Sequence, residues 1–149
     1  MFNILDQQFD ICEGDFCVAE GETNTITAGM VVSLDENSEV VIFKNSGNEN
    51  SPFGISADDF DENSQEVKNL PEFAQRKLSI YRGYMWVETN QFDIEQSYTP
   101  GDTLYADTAA DGVSYGQLTT AVPLHDKTVL GTVISYSPNR GLLECTLKI

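Results

Sequence analysis

Three groups of residues have types and spacing that chemistry would need. Asp59-Phe60-Asp61-Glu62-Asn63 sets oxygen donors at the first, third and fifth places of a calcium loop. The pattern then stops, because Ser64 stands where that loop needs glycine and Leu70 where it needs a bidentate glutamate. A solvated acidic loop is the ordinary reading. Cys12 and Cys17, joined by Cys145 and His125 from far along the chain, would complete a tetrahedral zinc set, but no second closely spaced pair supports it. His125, the single histidine, adjoins Asp126 in a loop, and no local signature brings a serine or cysteine nucleophile to it. Carboxylate pairs are expected by number alone among 24 acidic residues, so they do not point to acid–base catalysis. No glycine-rich loop between a strand and a helix offers a phosphate cradle. The residues therefore argue for a protein that is not an enzyme and that needs no cofactor or metal.

The elements that would position any site are mostly strands. The turn Tyr98-Thr99-Pro100-Gly101-Asp102 precedes the β-prone run Thr103-Leu104-Tyr105-Ala106, proline presetting φ and glycine accepting a positive φ. Residues 128–136 are rich in β-branched types, and Pro138-Asn139-Arg140-Gly141 breaks the chain before residues 142–149, a hairpin pattern. In that last run Leu143, Cys145, Leu147 and Ile149 alternate with Glu144, Thr146 and Lys148, as in a strand with one buried face. A second hairpin is expected from Met30-Val31-Val32-Ser33-Leu34, the turn Asp35-Glu36-Asn37-Ser38 and residues 39–44. Pro52-Phe53-Gly54-Ile55-Ser56 reads as a short strand whose glycine marks a bulge or a close backbone approach. Residues 58–78 hold the one helical candidate, with Pro71 at a first turn and residues 72–78 giving about two turns. Residues 80–89 return to strand, and residues 91–94 pair with them after a turn at Thr89-Asn90. A faint echo of residues 28–35 and 53–55 in residues 100–107 and 130–132 is either coincidence among short turn-and-strand segments, which turn chemistry alone favours, or a duplication, which would imply two similar β layers closing on one core.

With 149 residues the chain suits a single domain whose core needs no disulfide or metal. Lys and Arg number 8 against 24 Asp and Glu, a net charge of −16, and the imbalance sits at one end. Residues 1–66 hold 15 acids against Lys44 alone, whereas residues 67–149 hold 9 acids and 7 bases. Such a chain is a poor partner for nucleic acid or an anionic membrane, since both are bound by lysine and arginine. Solubility is the plain reading of the charge and an acidic recognition surface the sharper one. The start lacks the basic and apolar regions of a signal peptide, and no apolar run is long enough to span a membrane, so a cytoplasmic site of synthesis is expected. Three cysteines, an odd number without framework spacing, read as reduced thiols.

Residues 1–26 have no clean period and form either an edge strand or an arm completed on a partner, ahead of a β-rich domain over residues 27–149. The apolar positions Phe2, Ile4, Leu5 and Phe9 would let such an arm add an extended piece to a partner's sheet. Lys68, Arg76, Lys77 and Arg82 are half of all basic residues and fall within 15 positions, so they form either a positive patch for an acidic partner or the neutralisation of residues 58–66. Tyr81, Tyr84 and Trp86 are types enriched at interfaces, but on a strand the domain's own core is the expected place for them.

The order of Ala28-Gly29-Met30-Val31-Val32, Pro52-Phe53-Gly54-Ile55, Gly83-Tyr84-Met85-Trp86-Val87, Pro100-Gly101-Asp102-Thr103-Leu104-Tyr105, Gly116-Gln117-Leu118-Thr119, Leu130-Gly131-Thr132-Val133 and Gly141-Leu142-Leu143 resembles the head decoration, or structural cement, proteins of tailed bacteriophages. The likeness covers roughly residues 28–149. It implies a compact β-barrel or β-sandwich, so that together with the helical candidate and the N-terminal residues read above the expected fold is mainly β, a compact antiparallel β-barrel or β-sandwich with one short helix and an extended N-terminal segment. It also implies a virion protein on the outer capsid surface that bridges neighbouring major capsid subunits, as a homo-oligomer, a trimer in preference to a dimer. The family has no catalytic residues to carry over. Other virion parts, such as a tail, neck or baseplate component, and a β-sandwich ligand-binding module are the competing expectations.

Overall fold

The computed structural model describes residues 1–7, 16–108 and 115–149. Strands make up 38% of the chain and helix 5%, which places it in the mainly β class. The strands are β1 (Phe2–Gln7), β2 (Phe16–Cys17), β3 (Val31–Leu34), β4 (Val40–Ile42), β5 (Gly54–Ser56), β6 (Lys77–Leu78), β7 (Ile80–Tyr81), β8 (Tyr84–Thr89), β9 (Thr103–Ala106), β10 (Leu118–Thr119), β11 (Gly131–Ser137) and β12 (Leu142–Lys148). They form a six-stranded sheet in the order β1-β8-β12-β11-β9-β10, a four-stranded sheet β4-β3-β5-β7 and the pair β2-β6, all with antiparallel neighbours.

The β11–β12 hairpin is the spine of the larger sheet. Its turn uses Gly141 at φ +62°, and the Arg140 and Gly141 N–H groups donate to Ser137 and Pro138 carbonyls. The alternation expected for β12 is present, with Leu143, Cys145 and Leu147 fully buried and Lys148 exposed. A bulge between Val133 and Ser135 shifts the register so that Tyr136 turns inward opposite Leu143. At Gly131 the strands approach so closely that a Cβ would lie 1.9 Å from the Thr146 carbonyl oxygen, so only glycine fits.

Among the described residues the apolar interior comprises two clusters, where one was expected. The first joins Met85, Val87, Leu104, Val133, Leu143 and their neighbours in the six-stranded sheet to Val31 and Ile55 of the four-stranded sheet. The second uses the alternate residues of that same small sheet, Val32, Val40, Ile42 and Ile80, with Val18, Ile26, Phe60 and Leu78. β3 and β5 are thus covered on both sides, and both read as near-continuous buried runs. Gly54 permits that packing, since a Cβ there would meet Ile80 Cγ2 at 2.4 Å.

Three expectations need correction. The helical candidate is one α turn, Gln65–Lys68, capped by the Ser64 hydroxyl, followed by a 3₁₀ turn at Glu72–Ala74 after Pro71, and residues 77–78 are already strand β6. A chain that must return Leu78 to the second cluster cannot continue a helix there. Residues 91–94 do not pair with β8. Phe92 instead bridges in parallel to Leu118, and the Asp93 N–H donates to the Leu118 carbonyl, because buried Phe92 packs edge-on against Tyr98 and Tyr136. Tyr84 and Trp86 are outside the core: on β8 the inward places belong to Met85, Val87 and Thr89, leaving Tyr84 and Trp86 at 37% and 39% exposure.

Candidate binding surfaces

The outward face of the six-stranded sheet is set by strand parity. Trp86 on β8 lies opposite Thr146 on β12, Thr146 opposite Thr132 on β11, and Thr132 opposite Thr103 on β9. One step along the strands Glu88 lies opposite Glu144, and Glu144 opposite Ser135. Two carboxylates face to face on neighbouring strands repel unless each has its own donors. Here each does. Arg140 holds Glu88 through two bonds of 3.0 Å, while Glu144 accepts from the Trp86 indole N–H at 2.9 Å and from the Ser135 hydroxyl at 2.8 Å. The indole is therefore fixed in place with part of its ring in solvent. A rigid exposed tryptophan flanked by Tyr84 and Lys148 is the kind of anchor that dominates protein interfaces.

The N-terminal residues lie at the margin of this face. β1 pairs with β8, its Phe2 ring stacks on Tyr81 with centroids 6.0 Å apart, and Ile4 packs against the first cluster. A register shift between Ile4 and Asp6 pushes Leu5 outward at 49% exposure. Among the described residues no strand pairs with the other edge of β1. Phe9 and Cys12 lie outside the described residues.

The four clustered bases do not share one task. Arg76 is half-buried and donates from Nε to the Val18 carbonyl at 3.0 Å, from Nη2 to the Ala19 carbonyl and from Nη1 to Glu62 at 3.2 Å, with Phe60 under its guanidinium. Arg82 lies 4.1 Å over the Phe53 ring and donates to the Phe53 carbonyl. Lys68 closes the α turn and is exposed, and Lys77 is an exposed, engaged residue of β6. Arg76 serves the interior, and its pairing with Glu62 follows the neutralisation reading of the basic cluster.

The residues with chemical potential are held apart. Cys145 is fully buried in the first cluster, whereas Cys17 and His125 are exposed. The His125 ring rests against Gly47, where a Cβ would come within 2.8 Å of Nδ1. It borders a hollow of about 340 Å³ with Asn45 and Thr119. Asn45 spends its amide on the Ala106 and Asp126 carbonyls and the Asp126 N–H, and the Thr119 hydroxyl accepts the Ala121 N–H. Burial raises the carboxyl of Asp126, but hydrogen bonds from Thr128 and Ser51 outweigh it and hold the group below the usual range. Asp59 and Asp61 accept the backbone N–H groups of Ala28 and Asn63, so the calcium-like stretch supplies turn geometry. Among the described residues no three His, Cys, Asp or Glu side chains converge as metal ligands, and no helix is long and apolar enough to cross a membrane.

The outward aromatic pair escaped the sequence because Tyr84, Met85, Trp86 and Val87 are apolar at both parities, so period alone could not tell the faces apart. Comparison of the chain with protein-family models, curated proteins and solved structures returned no match.

Proposed function

We propose that this chain is a non-enzymatic structural protein that decorates the outside of a tailed-phage capsid and bridges neighbouring major capsid subunits. The choice of partner comes from the ordered turn-and-strand motifs over residues 28–149. The observation that carries a docking role is the Trp86 indole, held on the outward face of the six-stranded sheet by Glu144. In this reading the six- and four-stranded sheets are the two layers of a β-sandwich, since the first cluster draws on both. The outer face of the larger sheet meets the shell, with Leu5 at its edge. A specific interface buries about 1,600 Å² in total, and a small homo-oligomer, a trimer in preference to a dimer, multiplies modest contacts through effective concentration.

Electron microscopy of virions assembled with the normal chain and with Trp86→Ala tests this. Density outside the shell for the normal chain, lost or thinned for Trp86→Ala, is the expected result. Absence of the chain from purified virions, or rings and tubes in place of shell-bound density, overturns it.

A further inference from the structure

The loop between β10 and β11 turns aliphatic side chains into water and is held so that they stay there. Val122 and Leu124 are 63% and 79% exposed, while Pro123 between them is buried. Both ends of that stretch are pinned. On one side the Ala121 N–H donates to the Thr119 hydroxyl at 3.1 Å and the Thr120 hydroxyl to the Ser97 carbonyl at 3.0 Å. On the other, buried Asn45, at a left-handed φ of +50°, donates to the Ala106 and Asp126 carbonyls and accepts the Asp126 N–H, and the His125 ring lies against Gly47. The order that docking would otherwise have to impose on the loop is therefore present in the free chain.

The same loop walls the hollow of about 340 Å³, which Ala121, Val122 and Leu124 line together with Ser46 and Thr119. A protruding leucine beside a recess large enough for an aliphatic side chain is a self-complementary patch, the form that a two-fold contact between identical chains requires. Charge selects the same occupant. Two copies, each at −16, repel wherever acidic surfaces meet. The hollows of about 560 and 460 Å³ beside the β3–β4 hairpin carry five and three carboxylates and cannot face a second copy. Among the described residues Asp107 is the one acid on the 340 Å³ hollow, and residues 112–125 are the longest run in the chain without Asp, Glu, Lys or Arg.

We infer that two copies of this chain dimerise through this loop, Leu124 of each entering the hollow of the other with Val122 beside it. The contact rests on the proposed function only in taking the chain to be a homo-oligomer, and it makes that oligomer a dimer and not a trimer. β8, which carries Trp86, and β10, which leads into the loop, are separated by β12, β11 and β9 in the sheet order. The Trp86 face therefore stays free in the dimer, which presents two such anchors.

Analytical ultracentrifugation of the full chain at micromolar concentrations, at low and at physiological salt, is the test. A monomer–dimer equilibrium that tightens as salt screens the repulsion is the expected result, since a contact made of ion pairs would weaken instead. Leu124→Asp should weaken the dimer about a hundredfold or more, because the change acts twice in a two-fold contact. Ala121→Trp, which fills the hollow and keeps the leucine, should weaken it about tenfold or more. Phe73→Asp, at 80% exposure and outside the hollow, should change it less than about twofold. All three replace exposed side chains, so their circular dichroism should match that of the normal chain. A normal chain that stays monomeric or forms a trimer, a dimer that weakens with salt, or equal effects of Leu124→Asp and Phe73→Asp would each overturn the proposal. None of these outcomes bears on whether Trp86 meets a shell, which the virion images decide.

Discussion

The Glu22 carboxylate takes the place of a neighbouring strand for Ile42: its Oε2 accepts the Ile42 N–H at 2.9 Å, with both residues buried. Its other oxygen accepts from the Asn24 backbone and amide at 3.1 and 2.8 Å. Val18 bridges in parallel to Val40 and the Ala19 N–H donates to the Val40 carbonyl, so residues 18–22 close the open edge of β4. Glu22→Ala leaves the Ile42 N–H buried and unpaired, a loss of about 1 to 3 kcal/mol. Glu22→Gln keeps one acceptor and loses less. Denaturant unfolding of the two variants measures this, and equal losses would contradict the assignment.

Arg76 ties the same segment down from the other side. Its bonds to the Val18 and Ala19 carbonyls need a planar fork, which lysine cannot supply. Arg76→Lys should therefore cost about 2 kcal/mol, nearly as much as Arg76→Met. Glu62→Gln breaks only the solvent-screened pair, with side chains 27% and 32% exposed, and should cost about 0.5 kcal/mol or less. Reversal of that order in thermal unfolding would show that the ion pair, and not the carbonyl contacts, gives Arg76 its role.

The sequence was most legible where a strand was long enough to show a period. β12 declares its buried face through Leu143, Cys145 and Leu147, and Pro138 with Gly141 marks the turn before it. β3, β4 and β9 were likewise visible between their turn residues. β2, β6 and β10 are two residues each, too short for any period, and exist because tertiary neighbours pair them. β6 in particular ended a stretch that read as helix. The hollow of about 560 Å³ beside β4 was illegible for a different reason: Glu20 and Glu22 come to line it with Asp35, Glu39 and Glu49 only once β4 has its edge closed by residues 18–22. Among 24 acids, that set carried no mark of its own.

Gly131 offers a sharp test of the hairpin. A methyl group there would have to displace the Thr146 carbonyl, which is backbone and cannot rotate away. Gly131→Ala should cost about 3 kcal/mol or more through separation of β11 from β12. Gly21→Ala, where a Cβ has nothing within 4 Å and φ is not positive, should stay within about 0.5 kcal/mol of the normal chain. Comparable melting temperatures for the two variants would mean that β11 and β12 do not approach as described.

Cys145 ties stability to alkaline pH. Burial, with a smaller contribution from the Glu144 charge, pushes its thiol from an ordinary 9.0 up to about 12. Between those values the folded chain keeps a proton that the unfolded chain has lost, so stability is full below about pH 9 and declines as pH rises toward about 12. The slope from this one group is at most about 1.4 kcal/mol per pH unit. Tyr98, raised by burial and then by Asp93 and Asp107, adds a decline of the same sign at higher pH. Cys145→Ala removes the thiol and leaves a small cavity, so the variant is less stable at neutral pH, but its deficit should shrink above about pH 9. Denaturation midpoints of both chains from neutral pH to about pH 11 measure that convergence. In parallel, maleimide should label exposed Cys17 in the folded chain and Cys145 only after unfolding. A deficit that stays constant with pH, or labelling of Cys145 in the folded state, would place the thiol outside the first apolar cluster and undo the inward face of β12.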